Sequence, residues 1–531
     1  MNIEPQDGSG SRRGDMPACL AGFLLSSTLC LAYFLVNGRG LQVTYGDTWI
    51  LADIAKRIAF NRSLGMDQVF DIVYPPLYPA LISAAYAFRD PASVFNAIAS
   101  LNILAYSSAF VPLFFLLKDY AGLKRGQAFF GALALLLNPW PLGYAAHISS
   151  EPLYYPLAAW FTWLLVKGAY LRGRAELAAF ILVFASLPLT KALGNVVFPV
   201  FAAFCVVMYI FSERPRPRAL ILRPLLAFSA AALAFFAYKK YQLSVLPPAG
   251  DVTGGYLYNL RYPNLLEPAY WLDRTRLDLS WLCRGTKTAA FPLFLALLAA
   301  QGKRLVKDPL VVFSLLIYSA TFVVVPLFTP GDPLFREHPR YYIPFVFSFA
   351  VVVMKYRDLI AGRELLTAAG ILAAGIAAGF PPDFMREPVR WQIGVYYLVW
   401  FGILYYGRRA FSAVMISLML SSAVIGIWTG RKLPSEESGY ITGFYDPRGI
   451  TRTILGVRAE NPEARVLVDR LWRGHELPVW REYQRVMTGL PLLPSFVDAE
   501  RPFAGLSGGG GVYLLLTHRR VRGGEKLVQG D

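Results

Sequence analysis

The side chains best suited to acid–base or anion chemistry fall at the ends of apolar runs rather than inside them. Asp47 stands in VTYGDTWILADIAKRIAFNRSLG, and Glu151 in HISSEP. Either carboxylate can take a proton from a hydroxyl or hold a cation. Basic residues occupy comparable places: Lys191 in LTKALGN, and Arg336, His338 and Arg340 in PLFREHPRYYIPF. Gathered at one face, these cations suit a phosphate, with Arg able to make bidentate contact with its oxygens. His147 and His338, with Asp47 and Glu151, also form a candidate donor set for a divalent metal, although no pair has ligand spacing. Each residue has a plain structural use as well. Asp47 or Thr48 can cap a helix; Ser149 or Ser150 can cap another, with Glu151 in its first turn and Pro152 tolerated beside it; Lys and Arg at a span end can snorkel.

The elements that must position these residues are apolar helices. Of 531 residues, 55% are hydrophobic and 16% charged, against roughly 25% charged in soluble proteins. Apolar runs of about 20 residues, enough to cross a ~30 Å hydrocarbon core, recur from Pro17 to Trp428. The net charge of +17 sits mostly in short loops between these runs, a topology signal at anionic lipid rather than a nucleic-acid surface. The four cysteines lie in or beside apolar segments, with no pair placed for a disulfide or metal framework.

The pattern predicts a polytopic α-helical membrane protein with about thirteen spans: 17–36, 93–117, 126–145, 152–171, 175–193, 195–211, 219–238, 288–301, 309–328, 341–355, 365–380, 391–407 and 411–429. With residues 1–16 cytoplasmic, every inside loop is basic. Leu77 to Phe88 is too short to cross and enters through Tyr74-Pro75-Pro76, so it reads as a dipping or interfacial helix. From Thr48 to Asn61, Leu51, Ile54, Ala55 and Ile58 share one face, as in a helix lying at the interface. The outside segments are 37–92, 239–287 and the tail 430–531. The tail carries strand-like runs at 465–468 and 512–516, which predict a small extracytoplasmic α/β domain after the membrane domain 17–429.

A short first span followed by YGDTW, an amphipathic helix and YPPLYP, then SSEPLYYP, then RYYIP, resembles the GT-C class of integral membrane glycosyltransferases. The likeness is greatest to the branch holding protein O-mannosyltransferases and the lipid A aminoarabinose transferase, and it covers residues 17 to 360. The resemblance implies that Asp47 acts as or supports the catalytic base and that Glu151 helps position substrate or metal. It implies that Lys191 and Arg340, with Arg336, lie near a lipid phosphate. Tyr74, Tyr78, His147 and His338 are expected to position substrate. Here the first acid is a single Asp followed by Thr48 and Trp49, and the second is a Glu, so metal dependence stays open.

The function expected is transfer of a monosaccharide from a polyprenyl-phosphate donor to a lipid, polysaccharide or protein acceptor. The reaction is placed on the outer face of a plasma (inner) membrane, with inversion at the anomeric carbon. Nucleotide sugars are not expected on that side, and a lipid-borne donor reaches it through the bilayer. The alternatives are a secondary transporter or lipid flippase, which would place charges at mid-span, and a non-enzymatic envelope protein whose tail binds a partner.

Overall fold

The computed structural model describes residues 12–36, 47–61, 74–88, 91–211, 219–245, 268–285, 290–328, 341–378, 399–430, 465–469, 495–497 and 513–516. The chain is built almost entirely of helices. They are α1 (Arg12–Val36), α2 (Asp47–Asn61), α3 (Leu77–Ser83), α4 (Pro91–Ser107), α5 (Phe110–Phe115) and α6 (Arg125–Leu136). Next come α7 (Pro139–Leu142), α8 (Glu151–Val166), α9 (Arg174–Thr190), α10 (Val197–Ile210) and α11 (Ala219–Val245). The later helices are α12 (Pro268–Gly285), α13 (Ala290–Leu305), α14 (Pro309–Phe328), α15 (Phe347–Lys355), α16 (Gly362–Ala378) and α17 (Phe411–Gly430). Residues 399–406 are helical too. Among the described residues, four helical stretches are long and apolar enough to cross a membrane: Gly14–Leu35, Ser93–Tyr120, Ala192–Ile210 and Leu222–Tyr241.

The run expected as one helix over 126–145 is broken. α6 stops at Leu136, and Asn138-Pro139-Trp140-Pro141 starts the short α7. Proline lacks the N–H that would continue the ladder and crowds the preceding turn. At the same place the carbonyl of Leu136 accepts a hydrogen bond from the Tyr106 hydroxyl at 2.5 Å. Turns then carry the chain to residue 150, so the end of this region before α8 is irregular backbone rather than helix.

α3 continues as a 3₁₀ turn, Ala84–Ala87, and is too short to span, as the sequence implied. It packs against α2, α4 and α9. The apolar face expected for α2 is largely buried: Leu51, Ile54 and Ala55 are covered, and Ala52 joins them, while Phe60 is exposed. The cover is protein, since Leu51, Ala52 and Ala55 cluster with Tyr78, Ile82, Tyr86, Phe95, Ile98 and Ile148. The Tyr86 hydroxyl donates to the Ala52 carbonyl at 2.8 Å, locking α2 to the turn after α3.

The packing among α8, α9 and α10 is aromatic. Phe161 of α8 lies 5.3 Å from both Phe180 and Phe184 of α9, centroid to centroid, and Phe184 lies 5.1 Å from Phe201 of α10. Offset and edge contacts at such distances add to the burial energy of large rings. α8 ends by a left-handed residue, Gly168 at φ 68°, a conformation that glycine adopts without the Cβ clash. Lys167 and Glu176, 2.7 Å apart, close the turn between α8 and α9.

In the tail, β1 (Arg465–Asp469), β2 (Ser495–Val497) and β3 (Tyr513–Leu516) form a parallel sheet in the order β2-β1-β3. Leu467 lies opposite Ser495, and Arg465 opposite Tyr513. The two strands expected from sequence are β1 and β3. β2, three residues long, carries no comparable signal. Parallel pairing requires crossover connections, and these fall outside the described residues.

Candidate active site

The site is assembled where α8 begins and α9 ends. Glu151 is the first residue of α8, followed by Pro152 in a position where the missing N–H costs nothing. Ser150 occupies the N-cap position without a side-chain capping bond, and the Ser149 hydroxyl is buried with no hydrogen-bond partner among the described residues. The serine-cap arrangement anticipated from sequence is therefore not the one adopted. Glu151 instead reaches Lys191, and the two form a buried ion pair in which the residues are 4% and 9% exposed.

Lys191 owes its place to a local reversal. α9 ends at Thr190, Lys191 is extended at φ −148° and ψ 137°, and its carbonyl accepts from the Gly194 N–H at 2.8 Å. A Cβ on Gly194 would stand 2.4 Å from the Leu187 carbonyl carbon and oxygen. Only glycine lets the chain fold this tightly over the end of α9. The Lys191 ammonium also faces two aromatic rings, Tyr341 at 5.2 Å and Tyr154 at 6.0 Å from their centroids. Ring faces attract a cation most where water is excluded.

A polar knot holds the turn that precedes Glu151. Asn102, buried in α4, donates from Nδ2 to the His147 carbonyl at 2.5 Å and to the Tyr78 hydroxyl at 3.0 Å. The Tyr78 hydroxyl in turn donates to the same carbonyl at 3.4 Å. Tyr78 is fully buried, so it acts on the backbone of this turn. The His147 ring packs 5.7 Å from Tyr144. Burial pushes its pKa down to about 4, with Glu151 pulling the other way, so the ring is neutral at neutral pH. Tyr74 is half-buried and packs at the edge of the α2–α3 cluster.

Asp47 is the first residue of α2. One helical turn later, Leu51 shares a buried cluster with Ile148 of the turn before α8 and with Tyr78, and Leu153 of α8 packs on the same cluster. The start of α2 is thus tied to the start of α8 through apolar contacts. Arg336, His338 and Arg340 lie outside the described residues. Among the described residues there is no group of three or more metal-ligating side chains. Glu151 is matched to the protein's own cation, so the donors described fit a carboxylate–ammonium site.

Sequence reasoning missed two contributors. Asn102 interrupts the run SLNIL, and an amide in an apolar span is itself a signal of a buried partner. Arg274 and Asp278, spaced i,i+4 on α12, form a buried pair at 2.9 Å, and the Tyr342 hydroxyl donates to the same carboxylate at 2.6 Å. Burial raises the Asp278 pKa while Arg274 lowers it.

No protein-family model matches the chain, and no curated protein matches it. Solved structures similar to it include ArnT from Cupriavidus metallidurans bound to undecaprenyl phosphate, at 15% identity over 93% of this chain and 92% of that one, with a TM-score of 0.52. The apo state of ArnT gives the same values. The apo oligosaccharyltransferase of Archaeoglobus fulgidus is similar at 13% identity over 92% of this chain and 65% of that one, with a TM-score of 0.49. At such identities the likeness is one of fold, and with ArnT it runs through nearly the whole of both chains. The chain is an α-helical integral membrane protein with the fold of the GT-C glycosyltransferase ArnT.

Proposed function

We propose that this protein is a glycosyltransferase that moves a monosaccharide from a polyprenyl-phosphate donor to an envelope acceptor at the outer face of the plasma (inner) membrane. On this reading the N-terminus is cytoplasmic and the tail extracytoplasmic. The observation that carries the reading is the buried Glu151–Lys191 pair at the α8–α9 end, joined by apolar contacts to the first turns of α2, where Asp47 stands. A carboxylate and an ammonium held without water, on a fold shared with a protein crystallised with undecaprenyl phosphate, suit a lipid phosphate ester better than a free sugar.

Asp47 takes the proton of an acceptor hydroxyl as that oxygen attacks the anomeric carbon. The bond from this carbon to the phosphate oxygen breaks, and the electron pair leaves with the polyprenyl phosphate. The leaving group is already a weak base and needs cations rather than an acid. Lys191 supplies one charge, and Arg336 and Arg340 are assigned the others. Glu151 aims the Lys191 ammonium, and Tyr78, acting through the His147 carbonyl, sets the turn that carries Glu151. A single in-line displacement inverts the anomeric centre. No step is routed through a metal.

Binding of undecaprenyl phosphate to the purified protein in detergent, followed by native mass spectrometry, tests the donor assignment. Wild type is expected to bind it, and Lys191→Gln to bind at least about tenfold more weakly, since a charge-assisted contact is lost. Equal binding by both proteins would remove Lys191 from the phosphate site.

A further inference from the structure

The second outside segment, 239–287, has no part in the chemistry above, yet α12 within it carries a fully buried arginine. Arg274 is 0% exposed and pairs with Asp278 on its own helix, and the Tyr342 hydroxyl donates to the same carboxylate oxygen. The other oxygen, Oδ1, is buried with no hydrogen-bond partner among the described residues. The described hold on this carboxylate therefore comes from Arg274 and Tyr342. Removing a single partner from so desolvated a group is costly, which gives the contact a strong geometric preference.

Tyr342 is fixed from other sides as well. Its ring stacks on Tyr318 of α14 with centroids 5.6 Å apart and planes 2° apart, and its carbonyl accepts from the Tyr318 hydroxyl at 3.2 Å. The residue before it, Tyr341, presents its ring to the Lys191 ammonium at 5.2 Å. α12 itself is seated on α16, where a Cβ on Gly375 would meet the Cys283 sulfur at 2.7 Å. One tyrosine of the pair is thus clamped by the outside helix while its neighbour touches the candidate site. We infer that Asp278 and Tyr342 are positioning residues that hold Tyr341 over Lys191, so that helix α12 of the second outside segment sets the environment of the site's cation. The functional meaning of this device rests on the reading of Lys191 as the donor-phosphate residue, whereas its geometry does not.

The test uses the full chain in detergent and two readouts. Brief acetylation with an N-hydroxysuccinimide ester, read by peptide mass spectrometry, reports the access of reagent to Lys191, with Lys167 at the opposite end of α8 as internal control. Tyr342→Phe keeps the stacked ring and removes only the hydroxyl. It should speed Lys191 labelling about tenfold with Lys167 unchanged, as should Asp278→Asn and Tyr341→Leu. The double variant Tyr341→Leu/Tyr342→Phe should be no faster than Tyr341→Leu alone, because both changes act through one ring. Unchanged Lys191 labelling in Tyr342→Phe, or a rise shared equally by Lys167, overturns the proposal. If Asp278→Asn fails to fold, Tyr342→Phe and the double variant still decide. Undecaprenyl phosphate binding is the second readout. Wild type that binds, with Tyr342→Phe about tenfold weaker, supports both the device and the donor assignment. Wild type that does not bind, alongside the predicted labelling pattern, keeps the positioning device and ends the donor assignment.

Discussion

Two carboxylate–lysine pairs of the helical bundle, Glu151–Lys191 and Asp308–Lys355, are built differently. Asp308, in the turn before α14, accepts from the backbone N–H groups of Leu310 and Val311 at 2.9 and 3.2 Å. It also accepts from the Lys355 ammonium at 2.6 Å, the Tyr356 hydroxyl at 2.8 Å and the Tyr120 hydroxyl. It caps a helix and binds the ends of two other segments, one at Tyr120 and one at Lys355 and Tyr356, which is what a structural staple needs. Glu151 also sits at a helix start, but it reaches sideways to a lysine presented by a tight reversal and faced by aromatic rings. The first carboxylate is used up by the fold. The second is held in a pair whose partner can also attract an anion.

That contrast is sharpest in the response to paired apolar replacement, and this carries the largest expected effect. Glu151→Leu alone strands the Lys191 charge and should cost about 3–5 kcal/mol in unfolding measured in detergent. Glu151→Leu with Lys191→Met should recover most of that stability and still show no transfer. Asp308→Leu with Lys355→Met should not recover, because two N–H groups and two phenols remain without their acceptor. Its residual folded fraction should keep normal turnover per molecule. The reverse outcome, with the Glu151–Lys191 double variant active and the Asp308–Lys355 one inactive, would exchange the roles of the two pairs.

A smaller effect is expected at the reversal itself. Gly194→Ala places a methyl against the α9 backbone and should destabilise by about 1–3 kcal/mol, the usual range for overpacking. It should also weaken undecaprenyl phosphate binding, because Lys191 shifts with the turn. Gly302→Ala, where the added Cβ meets nothing within 4 Å, is the matched control.

The smallest effect concerns pH. The folded pKa of His147, about 4, lies below its unfolded value near 6.5, so the unfolded chain binds the proton first as pH falls. The stability from this group is complete above pH ~6.5 and is lost on acidification toward pH 4, the loss at pH 5 being on the order of 2 kcal/mol. Thermal melts at pH 7 and pH 5 should differ more for wild type than for His147→Gln. Equal slopes would mean that the ring is not held neutral by burial.

Much of the fold was legible because membrane spans are long, uniform and bounded by charge. Most helices fall on the apolar runs, and the helix starting at Leu77 is short and follows the Pro75-Pro76 entry that the sequence shows. The break after Leu136 was signalled by Pro139 and Pro141, but hydropathy averages across prolines, and 126–145 read as continuous. Glu151 and Lys191 were visible as outward charges. Their mutual pairing was not, because 40 residues separate them and only the Gly194 reversal brings them together. The Arg274–Asp278–Tyr342 contact was hidden for the same reason: the i,i+4 pair is local, while its partner lies 64 residues away. Asn102 was overlooked because one amide barely alters the hydropathy of an apolar run.

The central claim is that the outer end of this bundle transfers a sugar with Asp47 as base. It is tested most directly by mass spectrometry of envelope glycans from cells lacking the protein, complemented with wild type or with Asp47→Asn. The account predicts one monosaccharide unit missing in the null and in the Asn strain and restored by wild type, with both proteins inserted at equal levels. Glycans identical in all three strains would contradict it.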